Sequence, residues 1–275
     1  MIQNFDFKTK YSVEDLVEII RLLRTPEGCP WDREQSHESI KKNFIEETYE
    51  VIEAINKDNP AMLREELGDV LMQVLLHAQM EQEKGNFDFH DIVNELAQKL
   101  VIRHPHVFGN EHCENAEEVL VTWDRVKTET KNQTTITEAM EAIPKELPAL
   151  MRAQKIQKKA AKVGFDWDNI QGVLAKVVEE TSEVMDAYHI GMQADIDAEF
   201  GDLLFAVVNL SRFLRSDPEE SLTRASDKFS RRFAGMERLA KERGIDMASS
   251  SLEELDKLWD EIKLAERTAD DGDEE

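Results

Sequence analysis

Proline and glycine are scarce, at 7 and 11 of 275 residues. So few chain breakers, in a sequence rich in Glu, Leu, Ala and Lys, favour helices. Cysteine is scarcer still. Cys29 and Cys113 are too few for a disulfide framework and read as reduced thiols, as expected of a cytoplasmic protein. No apolar run approaches the length of a membrane span. The opening MIQNFDFKTKYSVEDL has no basic region followed by an apolar one, so no signal peptide is expected. Positive charge is also short: 34 Lys and Arg stand against 58 Asp and Glu, a net charge of -24. Such a surface repels polynucleotides and anionic lipid, so neither nucleic acid nor membrane is expected as a partner. An anionic small molecule is still compatible with it where divalent cations bridge the two. What remains, 41% hydrophobic and 33% charged, is the composition of a soluble globular protein with room for one large domain or two smaller ones.

Apolar residues recur at helical spacing through nearly the whole chain. Helices are expected over about 12–24, 37–57, 60–84, 88–102 and 116–130, and again over about 149–162, 170–190, 194–215, 218–243 and 252–267. Loops are expected at TPEGCPWDREQS, RHPHVFGN and VGFDWDN. Asn59-Pro60 and Asp217-Pro218 read as helix starts, and Ser251 with Glu254 as a capping box. The polar stretch before Pro144 and Pro148 marks a domain boundary. The expected layout is a first domain over 1–135, a linker over 136–146, a second domain over 147–267 and an acidic, disordered tail over 268–275.

The second half repeats the first. EETYEVIEAINKDNPAMLREELGDVLMQVL and EETSEVMDAYHIGMQADIDAEFGDLLFAVV align without a gap at an offset of 133 residues, Glu46 meeting Glu179 and Asp69 meeting Asp202. Lys99 and Arg103 echo Lys228 and Arg232; Trp123-Asp124 with Lys127 echoes Trp259-Asp260 with Lys263. The expected fold is therefore all-α, two tandem copies of a helical-bundle module.

Each copy carries E-E-x-x-E, a spacer, then E-x-x-D. The residues are Glu46, Glu47, Glu50, Glu66 and Asp69, then Glu179, Glu180, Glu183, Glu199 and Asp202. At about 100° per residue the first three of each set share one helix face, and the last two share a face of the next helix. The hinge HIGMQADID permits an antiparallel hairpin that sets the two faces opposite one another. A solvated acidic face is the ordinary fate of such clusters. Three features argue for a metal instead. Like charges repel along the helix with no basic residue four positions after Glu183 or Asp202. Both E-x-x-D motifs run directly into apolar sequence, where an unpaired charge is costly. The pattern also occurs twice. An all-oxygen donor set indicates a hard cation, Mg²⁺ or Mn²⁺. Zinc would want His or Cys at ligand spacing, and a di-iron bundle would want paired E-x-x-H motifs. Only Glu34 to His37 has that form.

With PEGCPWDREQ and RHPHVFG in the first half and PALMRAQKIQKKAAKVGFDW in the second, this motif set resembles the MazG-type, all-α nucleoside triphosphate pyrophosphohydrolases in their bacterial two-domain form. The likeness runs from about Val13 to Arg267. It implies Mg²⁺-dependent hydrolysis of NTPs and dNTPs of any base to monophosphate and pyrophosphate, a housecleaning role in the nucleotide pool, a homodimer, and association with a GTPase. It implies a catalytic second domain, with Glu180, Glu183, Glu199 and Asp202 as ligands and Glu179 near the attacking water or a further metal. The first domain is then structural or regulatory, its Glu47, Glu50, Glu66 and Asp69 forming a possible second metal site. Substrate positions carry over to Lys176, Glu179, Lys228, Arg232, Trp259 and Lys263. The family can hold a basic residue in the turn before the second acidic pair. Here the turn reads ADIDA, from Ala194 to Ala198, and no contact is carried over to it.

Simpler roles stand beside these. Lys228 and Arg232, one turn apart, suit a phosphate grip or an ordinary surface pair. Trp259 suits base stacking or core filling. His104, His106 and Cys29 are read as structural. The apolar stripe of Ile19, Ile20, Leu22 and Leu23 is read as dimer surface. The competing function is a non-enzymatic helical adaptor whose acidic face docks a basic partner.

Overall fold

The computed structural model describes residues 5–130 and 135–270; the side chains of residues 124, 127–130 and 268–270 lie outside the description. The chain is all-α, with no strand among the described residues, and forms two compact units, Met1–Lys131 and Asn132–Glu275.

In the first unit, α1 (Val13–Leu23) opens on a capping box of Ser12 and Asp15. A central hairpin follows, α3 (Lys41–Asn56) and α4 (Pro60–Lys84). Asn59 accepts from the amides of Ala61 and Met62, and Pro60 supplies a first-turn φ without an orphaned N–H. The core joins Ile20 of α1, Ile40, and Leu75, Leu76 and Met80 of α4, with Leu16, Val17 and Leu23 against them. Half of the α1 stripe expected to form dimer surface is thus used inside the unit: Ile20 is buried and Leu23 packs against this core. α5 (Phe89–Arg103) and α7 (Ala116–Thr130) complete the unit.

Two short helices occupy stretches expected as loops. α2 (Pro30–Glu34) and α6 (Pro105–Phe108) each begin on a proline, whose fixed φ suits a first helical turn. α3 begins at Lys41 rather than His37, because Ser36 and Ser39 exchange side-chain-to-backbone hydrogen bonds at 2.9 and 3.2 Å and hold a turn there. His37, the one E-x-x-H histidine, turns to α4: its Nδ1 lies 2.6 Å from His77 Nδ1 and its Nε2 2.5 Å from Glu81 Oε1.

In the second unit the expected linker 136–146 is partly helical. α8 (Ile136–Glu141) opens on a Thr135–Glu138 capping box and buries Ala139, with Ile143 buried just beyond. α9 (Ala149–Ala161) follows, and Gln157 donates to the carbonyl of Phe205 at 2.7 Å, tying α9 to the helix that carries the second acidic pair. α10 (Ile170–Ile190) starts under an Asn169 cap, and Gly191 ends it at φ 84, a conformation open to glycine at little cost. α11 (Gln193–Phe213) starts two residues later, so the hinge is Gly191-Met192 and most of HIGMQADID is helical. α12 (Pro218–Glu242) and α13 (Leu252–Asp270) pack through Met236, Ala240 and Leu258. A Cβ on Gly235 would lie 3.3 Å from Ile262, so the two helices run close there. The backbone of α13 reaches Asp270, inside the stretch expected as tail; residues 271–275 lie outside the described residues.

Candidate metal and nucleotide site

α10 and α11 bring three carboxylates together. Glu180, Glu199 and Asp202 each offer an oxygen within 4.8 Å of the others. They come from two helices because Glu180 sits mid-way along α10 while Glu199 and Asp202, one turn apart, face it from the first half of α11. Glu180 is 5% exposed, and its Oε2 is buried without a hydrogen-bond partner. A buried carboxylate oxygen in that state is costly unless a cation completes it. Glu183, one turn beyond Glu180, lies outside the trio. Its carboxyl is pushed above its ordinary value by lost hydration and by the Glu180 carboxyl beside it.

Lys176 enters the same groove. Its Nζ lies 2.6 Å from Glu180 Oε1 and 2.9 Å from Glu179 Oε1, which raises the ammonium's pKa. The ammonium thus balances one oxygen of Glu180 and leaves the other unpaired.

The first unit repeats the trio with Glu47, Glu66 and Asp69, again within 4.8 Å of one another, and again the carboxylate one turn on, Glu50, lies outside it. The position matching Lys176 is Asn43. Glu47's carboxyl is raised by lost hydration and then by Asp69 and Glu50; Glu66's is raised by lost hydration and then by Glu50 and Glu65. None of the causes on either residue lowers it.

The remaining sequence-derived substrate positions gather on α12 and α13. Arg232 Nε lies 2.7 Å from Glu266 Oε2, and Lys228, one turn earlier, is exposed. Trp259 is half-buried against Phe229, ring centroids 5.1 Å apart, beside the core of Met236, Ala240 and Leu258. Its inner side is therefore core, whatever its outer edge meets. Lys263 pairs with Asp260 at 3.1 Å. In the first unit, the echo of Trp259-Asp260 with Lys263 has the side chains of Asp124 and Lys127 outside the described residues, while Trp123 receives the Arg103 guanidinium at 5.4 Å. Glu266 and Phe229 were not legible as site neighbours: each meets its partner only when α12 and α13 pair.

Of the residues read as structural, Cys29 precedes α2 with its amide donating to Leu23, and His104 Nδ1 lies 2.6 Å from the Leu100 carbonyl at the end of α5.

The MazG nucleotide pyrophosphohydrolase domain matches twice, over residues 35–108 and 169–234, so that each match takes in one acidic hairpin. The chain belongs to the MazG family. It is an enzyme of the nucleotide pyrophosphohydrolase class built as a tandem MazG pair. It is 47% identical over 257 residues to the nucleoside triphosphate pyrophosphohydrolase of Escherichia coli strain K12, covering 92% of this chain and 98% of that one. It is 44% identical over 255 residues to the nucleoside triphosphate pyrophosphohydrolase/pyrophosphatase MazG of Thermotoga maritima, covering 93% and 97%. It is 49% identical over 253 residues to protein YabN of Bacillus subtilis, where the match spans 90% of this chain and 51% of the relative. Membership of the family sets aside the non-enzymatic adaptor. No helix among the described residues is long and apolar enough to cross a membrane.

Proposed function

We propose that this MazG chain hydrolyses nucleoside triphosphates, ribo and deoxyribo and with little regard to base, to monophosphate and pyrophosphate at the α10–α11 site. The observation that carries the reading is the buried, unpartnered Oε2 of Glu180 inside a cluster of three carboxylates. A hard divalent cation, Mg²⁺ or Mn²⁺, fits that donor set. Glu180, Glu199 and Asp202 would hold it, with Glu183 recruited as a fourth ligand by a change of rotamer. A cation bound there would offset the charge of the triphosphate and activate water for attack.

The chain's own residues do the rest. Glu179, exposed at the mouth of the carboxylate face, takes a proton from the attacking water. Lys176, within reach of the same groove, would offer the phosphates a flexible point charge once a cation balanced Glu180. Lys228 and Arg232 grip the polyphosphate, while the exposed part of Trp259 and Lys263 meet the nucleoside end. The first unit, with its carboxylates but Asn43 in place of Lys176, is a structural or regulatory copy whose Glu47, Glu66 and Asp69 offer a second cation site.

The working form is a homodimer. On α10, Leu174, Val178, Met185 and Tyr188 lie within about 80° of one another, on the side away from the carboxylates. Val178 and Tyr188 are 67% and 68% exposed, which is a large apolar face for solvent to meet. A second copy covers it. Light scattering should give a dimer mass at micromolar concentration; a monomer mass would remove this part of the proposal.

Hydrolysis in ¹⁸O-water tests the chemistry. Label in the monophosphate marks attack at the α-phosphorus. Label in pyrophosphate or in free phosphate would sink the mechanism.

A further inference from the structure

Glu266 is absent from the motifs, yet it joins two arginines. Its Oε2 accepts from Arg232 Nε at 2.7 Å and its Oε1 from Arg231 Nε at 3.2 Å. Arg232 and Glu266 are 21% and 27% exposed, while Arg231 is 66% exposed, so the inner bond is the one shielded from water. The Arg232 guanidinium, and after it Arg231, holds the Glu266 carboxyl below its ordinary value. The pair sits one turn from the close approach of Gly235 to Ile262, where α12 and α13 are locked by their core. Both ends of the bond therefore rise from helices packed directly on one another.

The geometry of the bond has a consequence. A guanidinium carries five N–H donors in a plane. Glu266 takes the inner one, on Nε. The outer edge, Nη1 and Nη2 with four N–H groups, stays available as a flat fork of the shape that matches two oxygens of a phosphate. A carboxylate on the inner edge also fixes the plane of the fork, so less side-chain freedom remains to be lost on binding.

We propose that Glu266 is a positioning residue: it orients Arg232 so that the Nη1–Nη2 edge meets the polyphosphate. The proposal rests on the reading of Arg232 as a phosphate grip.

The test is a double-mutant cycle in the full-length chain, with KM, kcat, Mn²⁺ affinity by calorimetry and melting temperature measured for each variant. Arg232→Ala should raise KM for a nucleoside triphosphate. Glu266→Ala should raise it about tenfold, with kcat changed less than KM and Mn²⁺ affinity unchanged. Glu266→Asp, which keeps the charge on a shorter arm, should recover part of the loss. If the effect of Glu266 on KM runs through Arg232, Glu266→Ala with Arg232→Ala should be no worse than Arg232→Ala alone. If Arg232→Ala raises KM but Glu266→Ala leaves it within twofold of the parent, positioning is wrong while the grip stands. Fully additive KM effects, or a Glu266→Ala defect in melting temperature and kcat that Glu266→Asp does not relieve, would mark a merely structural residue. If Arg232→Ala leaves KM untouched, the grip itself is wrong, and the role of Glu266 falls with it.

Discussion

The two MazG copies share their anions and differ in their cations. Each hairpin gathers three carboxylates within 4.8 Å, from matching positions at one offset. Each also leaves a matching apolar stripe exposed: Ile45, Ile52 and Ile55 in the first, Val178, Met185 and Tyr188 in the second. But Lys176 places an ammonium against Glu179 and Glu180, where the first copy has Asn43. In the first copy, lost hydration and neighbouring carboxylates raise the carboxyls of Glu47 and Glu66. On the proposed reading, the carboxylates alone would hold a cation, and the ammonium of Lys176 beside them would add a contact for a polyphosphate.

The comparison can be sharpened by experiment. Removing divalent ions with EDTA should abolish turnover, and Mg²⁺ or Mn²⁺ should restore it; a product assay in chelator reads this directly, and persistent turnover would discard the metal role of both copies. Next in size is Lys176→Met. Loss of a charge-assisted phosphate contact in a partly dry groove costs about 1.5–3 kcal/mol, so kcat/KM should fall roughly tenfold to over a hundredfold. Asn43→Ala, at the matching position, should change it less than twofold. Equal effects at the two positions would erase the asymmetry.

Smaller effects concern stability. Without divalent ions, Glu66→Gln should raise the melting temperature of the first unit by about 1–3 °C, because it removes one of a set of repelling charges. Glu180→Gln should raise it less, since it also weakens the ion pair with Lys176 to a hydrogen bond onto a neutral amide oxygen. Calorimetry of the full chain reads both, and a fall on Glu66→Gln would contradict the repulsion account.

The copies should also differ in acid. His37, His77 and Glu81 of the first match Ile170, Leu210 and Leu214 of the second. Burial, and then His37, lowers the pKa of His77. Its unfolded form therefore takes up a proton near 6.5 before the folded form does, and stability is lost as pH falls below that value. Glu81 is held at about 2 by Lys84, Asn86 and His37, so a second loss lies between its ordinary 4.5 and about 2. The sign is the same for both groups: stability is present at neutral pH and lost in acid. His77→Leu, copying the second unit, should flatten the melting temperature between pH 7.5 and 5.5. An unchanged slope would take the histidine pair out of the account.

Much of this was legible in the chain, for definite reasons. Carboxylates at i,i+3 and i,i+4 share a helix face whatever the surroundings, and a 133-residue repeat showed which of them belong together. Long amphipathic helices were legible by period. The short helices α2, α6 and α8 were not, because one turn or two contains no period to read, and a proline or threonine start resembles a loop. Partners distant in the chain were hidden for another reason. His37 and His77 are 40 residues apart, and Arg232 and Glu266 are 34 apart, so only packed helices bring them together. Nor did the motif show that the second glutamate of each E-x-x-E spacing, Glu50 or Glu183, would stand outside the trio; that depends on a rotamer.

The division of labour between the copies is tested most directly by steady-state turnover of four full-length variants, Glu180→Gln, Asp202→Asn, Glu47→Gln and Asp69→Asn, each first shown to be folded and of the parent's mass. Replacing either second-copy carboxylate should remove at least about 99% of kcat, the loss of roughly 2.7 kcal/mol or more of transition-state stabilisation, while either first-copy variant should keep most of it. Equal losses in both copies would contradict the account and make the two sites equivalent or jointly required.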